Sequence, residues 1–125
     1  MSKSATSAWV ATRKGLFRIA RHADATATWG IAQAAFLGEN VALVHVEKAE
    51  VGAAIYAALD HGHFGPKLKR SRDGGQTWED CQTPAFPPRA PDQEEERDPV
   101  FGRPIPWSVQ RIWAMASGSQ PGELW

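Results

Sequence analysis

Ser71-Arg72-Asp73-Gly74-Gly75-Gln76-Thr77-Trp78 has the chemistry of a hairpin corner. A carboxylate at Asp73 can accept backbone N–H groups across a tight turn, and Gly74 and Gly75 can take positive φ without a Cβ clash. Ser71 can add a second local hydrogen bond, and Trp78 can cover the turn from the strand that follows. The flanks agree: Leu68-Lys69-Arg70 leads in and Thr77-Trp78-Glu79-Asp80-Cys81 leads out with open alternation, as two paired strands would. The octapeptide therefore predicts a rigid turn between antiparallel strands, with no chemistry of its own.

Working outward, the same arrangement recurs along the chain. Trp9-Val10-Ala11-Thr12, a short loop, Gly15-Leu16-Phe17-Arg18 and then Trp29 is matched by Ile55-Tyr56-Ala57-Ala58, a longer loop, Leu68-Lys69-Arg70-Ser71 and then Trp78. A third copy begins at Leu124-Trp125. The apolar strip Val41–Val46 before the second copy has an echo before the third, Ile112–Ala116. Each unit is thus four short segments, A to D, too short for helices and separated by Gly, Asp and Pro. The apolar A segments predict innermost strands, and the rising polarity from A to D predicts exposure increasing outward. Four antiparallel strands graded in this way describe a propeller blade. The expected fold is all-β: an incomplete β-propeller of about one and a half to two blades.

The predicted organisation is a partial blade (strands B–D) over 9–35, a full blade over 40–83, an insertion over 84–106 and the start of a further blade over 107–125. The interval from Tyr56 to Trp125 exceeds that from Val10 to Tyr56 by the length of the insertion. That insertion holds seven of the nine prolines (Pro84, Pro87, Pro88, Pro91, Pro99, Pro104, Pro106) and the acidic cluster Asp92, Glu94, Glu95, Glu96, Asp98. Proline removes ladder donors and clustered carboxylates repel, so a structureless loop is expected there. Propellers close with about four to eight blades, so the chain reads as the N-terminal part of one, completed by further blades or by self-association.

Composition narrows the partners. Among 125 residues, 14 Lys+Arg balance 14 Asp+Glu, which gives no general pull on nucleic acid or an anionic membrane. Hydrophobic residues at 42% and charged residues at 22% are globular values. The single cysteine, Cys81, excludes an internal disulfide and a metal site built on two thiolates. The longest apolar strip is far too short to span a bilayer as a helix, and a cytoplasmic location is expected.

The octapeptide fits S-x-D-x-G-x-T-W at every fixed position, and in this it resembles the Asp-box, or BNR repeat, of sialidases, sortilin-type receptor domains and bacterial propellers described as glycosyl hydrolases. The wider run, Trp9–Phe17 through Ala57–Lys67 to Pro104-Ile105-Pro106-Trp107, is similar to one bacterial branch of that group. The first unit departs from the pattern: Arg21–Thr28, before Trp29, lacks the serine and the glycine. The resemblance implies that the boxes lie away from any catalytic centre, which in sialidases uses three arginines on the substrate carboxylate, a Tyr nucleophile with a Glu, and an Asp acid/base. Arginine suits such a clamp because its planar fork meets a carboxylate bidentately. Phe17-Arg18-Ile19-Ala20 is similar to the segment that supplies the first arginine, with Ala20 where the family has proline, and its repeat partner Lys69-Arg70 marks an ordinary solvated position. Tyr56, matched by Val10 and Trp125, reads as core.

In an up-and-down sheet successive connections alternate ends. The Asp-box (Ser71, Asp73, Gly75, Thr77, Trp78) therefore lies opposite the B–C and D–A loops, which hold Arg13-Lys14, Phe36–Asn40, Asp60–Pro66 and the insertion. Binding residues concentrate on loops that a rigid scaffold displays. Arg13, Asp60, His61, His63 and Lys67 are the candidate ligand contacts. Two imidazoles around Gly62 beside a carboxylate can meet a ligand directly or coordinate a transition metal, but three groups without a fourth assign no metal site, and no cofactor is implied. His45 reads as a satisfied histidine in an apolar strand. No strand of this stretch carries the paired carboxylates or Tyr–Glu pair of a glycosidase, so no catalytic residue is assigned and the stretch alone is expected to be inactive. Two functions remain open: a sialidase-like propeller binding or processing a small-molecule or glycan ligand, and a non-catalytic scaffold for protein or peptide.

Overall fold

A computed structural model describes residues 6–23, 28–48 and 53–125. The fold is all-β and holds two antiparallel sheets not closed into a barrel. The first carries β1 (Ser7–Thr12), β2 (Gly15–Arg21) and β3 (Trp29–Ala35) in the order β1-β2-β3. The second carries β4 (Val41–Glu47), β5 (Ala54–Asp60), β6 (Pro66–Ser71) and β7 (Glu79–Cys81) in the order β4-β5-β6-β7. Within each sheet every strand pairs with its neighbour in sequence, an up-and-down connectivity consistent with an incomplete propeller-like fold. Within Arg21–Thr28, the stretch that stands in the first unit where Ser71–Thr77 stands in the second, residues 24–27 lie outside the described part.

Side-chain alternation explains how the sheets are held. On β5, Ala57 and Leu59 point to one side and join Leu16 and Val41 in a buried cluster, walled by Trp9, Ala11, Phe36 and Trp78. This cluster is the seam between the two sheets. Tyr56 and Ala58 point to the other side and join Leu68 in a second cluster, against which Ile112, Met115 and Leu124 pack. The four-stranded sheet is therefore covered on both faces, and its second strand is the most enclosed element: Ile55 to Leu59 are all buried. Outward-rising exposure does not describe this. β4 is an edge with one ladder partner and five of its seven positions exposed or half-exposed, whereas β5 is paired on both sides.

The third unit differs from expectation in a second way. Ile112–Ala116 lies against the sheet through its side chains without forming a strand. Only its end finds backbone partners: Ala116 and Trp125 exchange N–H···O bonds of 2.7 and 2.8 Å, and Ser117 pairs with Leu124. A strand needs a continuous ladder, and Leu124-Trp125 supplies two residues of it. This hairpin is tied back to the sheet by Glu47, whose Oε1 accepts the Gly122 N–H at 2.9 Å, and by His45 Nε2, 2.9 Å from Ser117 Oγ. Nor is the insertion without structure. Arg97 and Pro104 bridge two antiparallel arms, Ile105 donates to Glu96 O at 2.8 Å, and Asp98 Oδ1 caps the turn by accepting the Val100 N–H at 2.7 Å. Pro104 fits because the bond at that point is carried by its neighbour's amide.

Among the described residues no helix is long and apolar enough to cross a membrane.

Candidate functional site

The Ser71–Trp78 turn is held from within. Asp73 Oδ1 accepts the N–H groups of Gln76 at 3.1 Å and Thr77 at 2.9 Å and the Ser71 hydroxyl at 2.8 Å, while Oδ2 accepts the Thr77 hydroxyl at 2.5 Å. The buried Ser71 Oγ in turn accepts the Gly75 N–H at 2.8 Å. Donors that favour the charged form depress a carboxyl pKa. The Thr77 hydroxyl, then the Thr77 amide and Ser71, bring Asp73 down to about 2. Gly74 and Gly75 take φ of 75° and 89°. Gly75 is also forced to be small: a Cβ there would lie 2.6 Å from the Trp9 ring of the other sheet. Trp78 donates its indole N–H to Gly75 O at 3.2 Å and meets the Phe36 ring edge-on at 4.9 Å. These residues thus clamp the sheets as well as forming a turn: Asp73 and Ser71 are bonded within it, while Arg72 reaches outward to Glu79 at 3.4 Å.

At the other end of β5 and β6 the loops converge. Gly38 donates to Lys14 O, and Asp60 donates to Asn40 O, each at 2.9 Å. The Phe36–Asn40 turn holds Phe36 at φ 52°, a conformation that costs about 1–3 kcal/mol for a bulky residue and that the Phe36–Trp78 ring contact keeps in place. Asp60 is the hub. Its Oδ1 accepts the Gly62 N–H at 3.1 Å, and its Oδ2 accepts from Arg111 Nε at 2.9 Å and Nη2 at 2.5 Å. The Arg111 guanidinium first and the Gly62 amide second hold the Asp60 carboxyl below the ordinary range. That side chain is 12% exposed.

Arg111 thereby lines an open hollow of about 330 Å3 with Arg13, Asn40, Ala42, Ile112 and Trp113 among its walls. The β4–β5 ladder is irregular between Val41 and Leu43, so Ala42 is an extra residue on the bulged strand, a device found beside functional sites because it re-aims side chains. Trp113 is 80% exposed, with the Arg111 guanidinium 5.2 Å from its ring centre. Arg13 makes no ion pair with the described residues. Of the residues named from the sequence, Arg13 and Asp60 serve this hollow, one as wall and the other by fixing Arg111. His61 and Lys67 line a separate one of about 430 Å3 with Asp80 and Cys81. His61 Nε2 stands 2.9 Å from Glu39 Oε1, off the line of a hydrogen bond. The side chain of His63 lies outside the described part. No group of three or more metal-binding side chains occurs among the described residues.

Sequence reasoning missed Arg111, Asn40 and Trp113. Their one signal was position: Asn40 ends a D–A loop and Arg111 opens an A segment, and both places sit on the loop-rich end. Tyr56 is buried in the core, and Arg18 pairs across strands with Gln33 Oε1 at 3.2 Å. Comparison with family models, with curated proteins and with solved structures finds no match.

Proposed function

We propose that these sheets are blades of a sialidase-like Asp-box propeller and that the Arg13–Arg111 hollow binds an acidic carbohydrate. The observation that carries this reading is the pairing of two guanidiniums with an exposed indole in one hollow. Arg111 uses Nε and Nη2 on Asp60, so its Nη1 edge remains to meet a ligand carboxylate beside Arg13. Trp113 offers a flat apolar surface for the C–H face of a sugar ring, and Asn40 adds an amide that can both donate and accept.

The reading is of binding, with no catalytic step assigned to these residues. Asp60 is the carboxylate paired with Arg111, and an acid catalyst needs a raised pKa, whereas Arg111 and the Gly62 amide lower that of Asp60. Its role is to hold Arg111 in one orientation. Calorimetric titration with N-acetylneuraminic acid and, separately, with galactose tests the proposal. Binding of the acid alone, weakened at least tenfold by Arg13→Ala, is expected. Equal binding of both sugars, or of neither at millimolar concentration, would overturn it and favour a protein-binding scaffold.

A further inference from the structure

The two packing contacts inside the chain are one arrangement used twice. In the first sheet Ala11 pairs with Leu16 across the strands and Trp9 stands two residues back; in the second, Ala58 pairs with Leu68 and Tyr56 stands two residues back. The Trp9-Ala11-Leu16 side of the first sheet packs on Val41, Ala57 and Leu59 of the second. The Tyr56-Ala58-Leu68 side of the second packs on Ile112, Met115 and Leu124. Each sheet thus turns the same aromatic-alanine-leucine side toward the element that follows it, and the second sheet receives the first on its back.

That order leaves one side uncovered at each end of the stack. Directly opposed residues of an antiparallel pair share a face. In the first sheet Val10 opposes Phe17, Ile19 opposes Ile31 and Arg21 opposes Trp29, so these six form its back. Val10, Trp29 and Ile31 are 38%, 47% and 69% exposed there. At the other end of the stack, Ala116 and Trp125 exchange backbone bonds beside the Ser117–Leu124 bridge. Alternation turns Leu124 in toward the second sheet and Trp125 out, and Trp125 is 78% exposed. Ala114 and Ala116, both exposed, flank it. Trp113 takes no part in this surface, because it stands in the Arg13–Arg111 hollow with the Arg111 guanidinium over its ring.

We infer that these two ends meet in a second copy of the chain: the back of the β1–β3 sheet in one copy docks on the outer side of the Ala116–Trp125 hairpin in the next. The occupant follows from the seam, which the contact continues. Inside the chain, the back of a sheet is met by small side chains beside an aromatic ring, and the hairpin offers Ala114, Ala116 and Trp125. The two ends are different surfaces, so the contact is heterologous and runs head to tail. It needs only the stacking seen within the chain and is independent of what the Arg13–Arg111 hollow binds.

Complementation between two variants of the full chain tests this. Ile31→Glu places a carboxylate on one end and Trp125→Glu on the other. Sedimentation velocity should show the mass of the unsubstituted chain rising with concentration, and each variant alone should associate at least about tenfold more weakly, since a charge is costly to bury in an apolar contact. An equimolar mixture should recover a dimer with one of each and go no further, because each variant keeps one intact end and the two ends left over are both blocked. Trp29→Ala with Trp125→Ala is the milder pair, which repeats the test if a carboxylate unfolds its chain. An effect of one substitution without the other would mean that an end meets its own kind. That result, a mixture that recovers nothing, or an unsubstituted chain that stays monomeric would each overturn the inference. Titration of both variants with N-acetylneuraminic acid reads the sugar hollow separately: complementation without sugar binding would defeat the sugar reading and leave the docking intact.

Discussion

Gly75→Ala is the substitution for which the structure makes the sharpest claim, because two separate costs meet at one atom. The backbone there is left-handed, at φ 89°, and an L-residue pays about 1–2 kcal/mol for that conformation. The new Cβ would also fall 2.6 Å from Trp9 and 3.0 Å from Gln33 Nε2. Gln33 can swing aside, but Trp9 walls the seam cluster around Leu16 and Leu59, and pushing a ring out of a packed site costs about 1–3 kcal/mol. Together about 2–5 kcal/mol is lost, which for a chain of this size lowers Tm by about 8–20 °C. Gly74→Ala is the internal control. Its φ is 75° but nothing lies within 4 Å of a Cβ there, so the backbone cost stands alone and the drop should be about 4–8 °C. Thermal melts followed by far-ultraviolet circular dichroism read both. Adding Trp9→Leu to Gly75→Ala should restore part of the loss, a coupling of about 1–3 kcal/mol in a double-mutant cycle. Equal shifts for the two glycines, with no coupling to Trp9, would refute the claim that the Ser71–Trp78 turn clamps the sheets together.

Three further outcomes follow from the same geometry. The Asp73 carboxyl has its pKa lowered from 3.8 to about 2 by folding, so its contribution to stability is complete above the unfolded value and is lost as pH falls from about 4 to about 2; Asp73→Asn should flatten the dependence of Tm on pH in that window, and parallel curves for the two proteins would contradict this. Leu59→Ala empties a site 1% exposed in the seam and should cost about 2–5 kcal/mol in urea denaturation, whereas a loss under 1 kcal/mol would mean that the seam is loosely packed. Trp113 and Trp125, 80% and 78% exposed, together with the edge strand β4, favour self-association; light scattering should show mass rising with concentration, and a constant monomeric mass up to high concentration would count against it.

The all-β character and the strand-by-strand order were legible in the sequence because both rest on local chemistry. Asp73, Gly74 and Gly75 can satisfy and permit a turn whatever surrounds them; the apolarity of Val41–Val46, by contrast, pointed to that strand as the innermost, and it is β5 that is closed on both faces because it is paired on both sides. Ser71–Trp78 had enough internal hydrogen-bonding capacity in eight residues to be read as a turn without a fold around it. What the chain beyond such turns would do was decided by partners distant in sequence. Ile112–Ala116 is as apolar as β4, yet it makes no ladder beyond Ala116 and Ser117, since a strand is a property of a pair. Proline and carboxylate content argued against order in 84–106, but Trp107 and Arg97 supply the anchors that the composition could not reveal. The hollow at the loop end is the extreme case. Arg13, Asn40 and Arg111 are spread across most of the chain and follow no spacing rule. They meet because successive strands alternate direction and because the Asp60 carboxylate reaches across 51 residues to fix a guanidinium that, in the sequence, stands among ordinary neighbours.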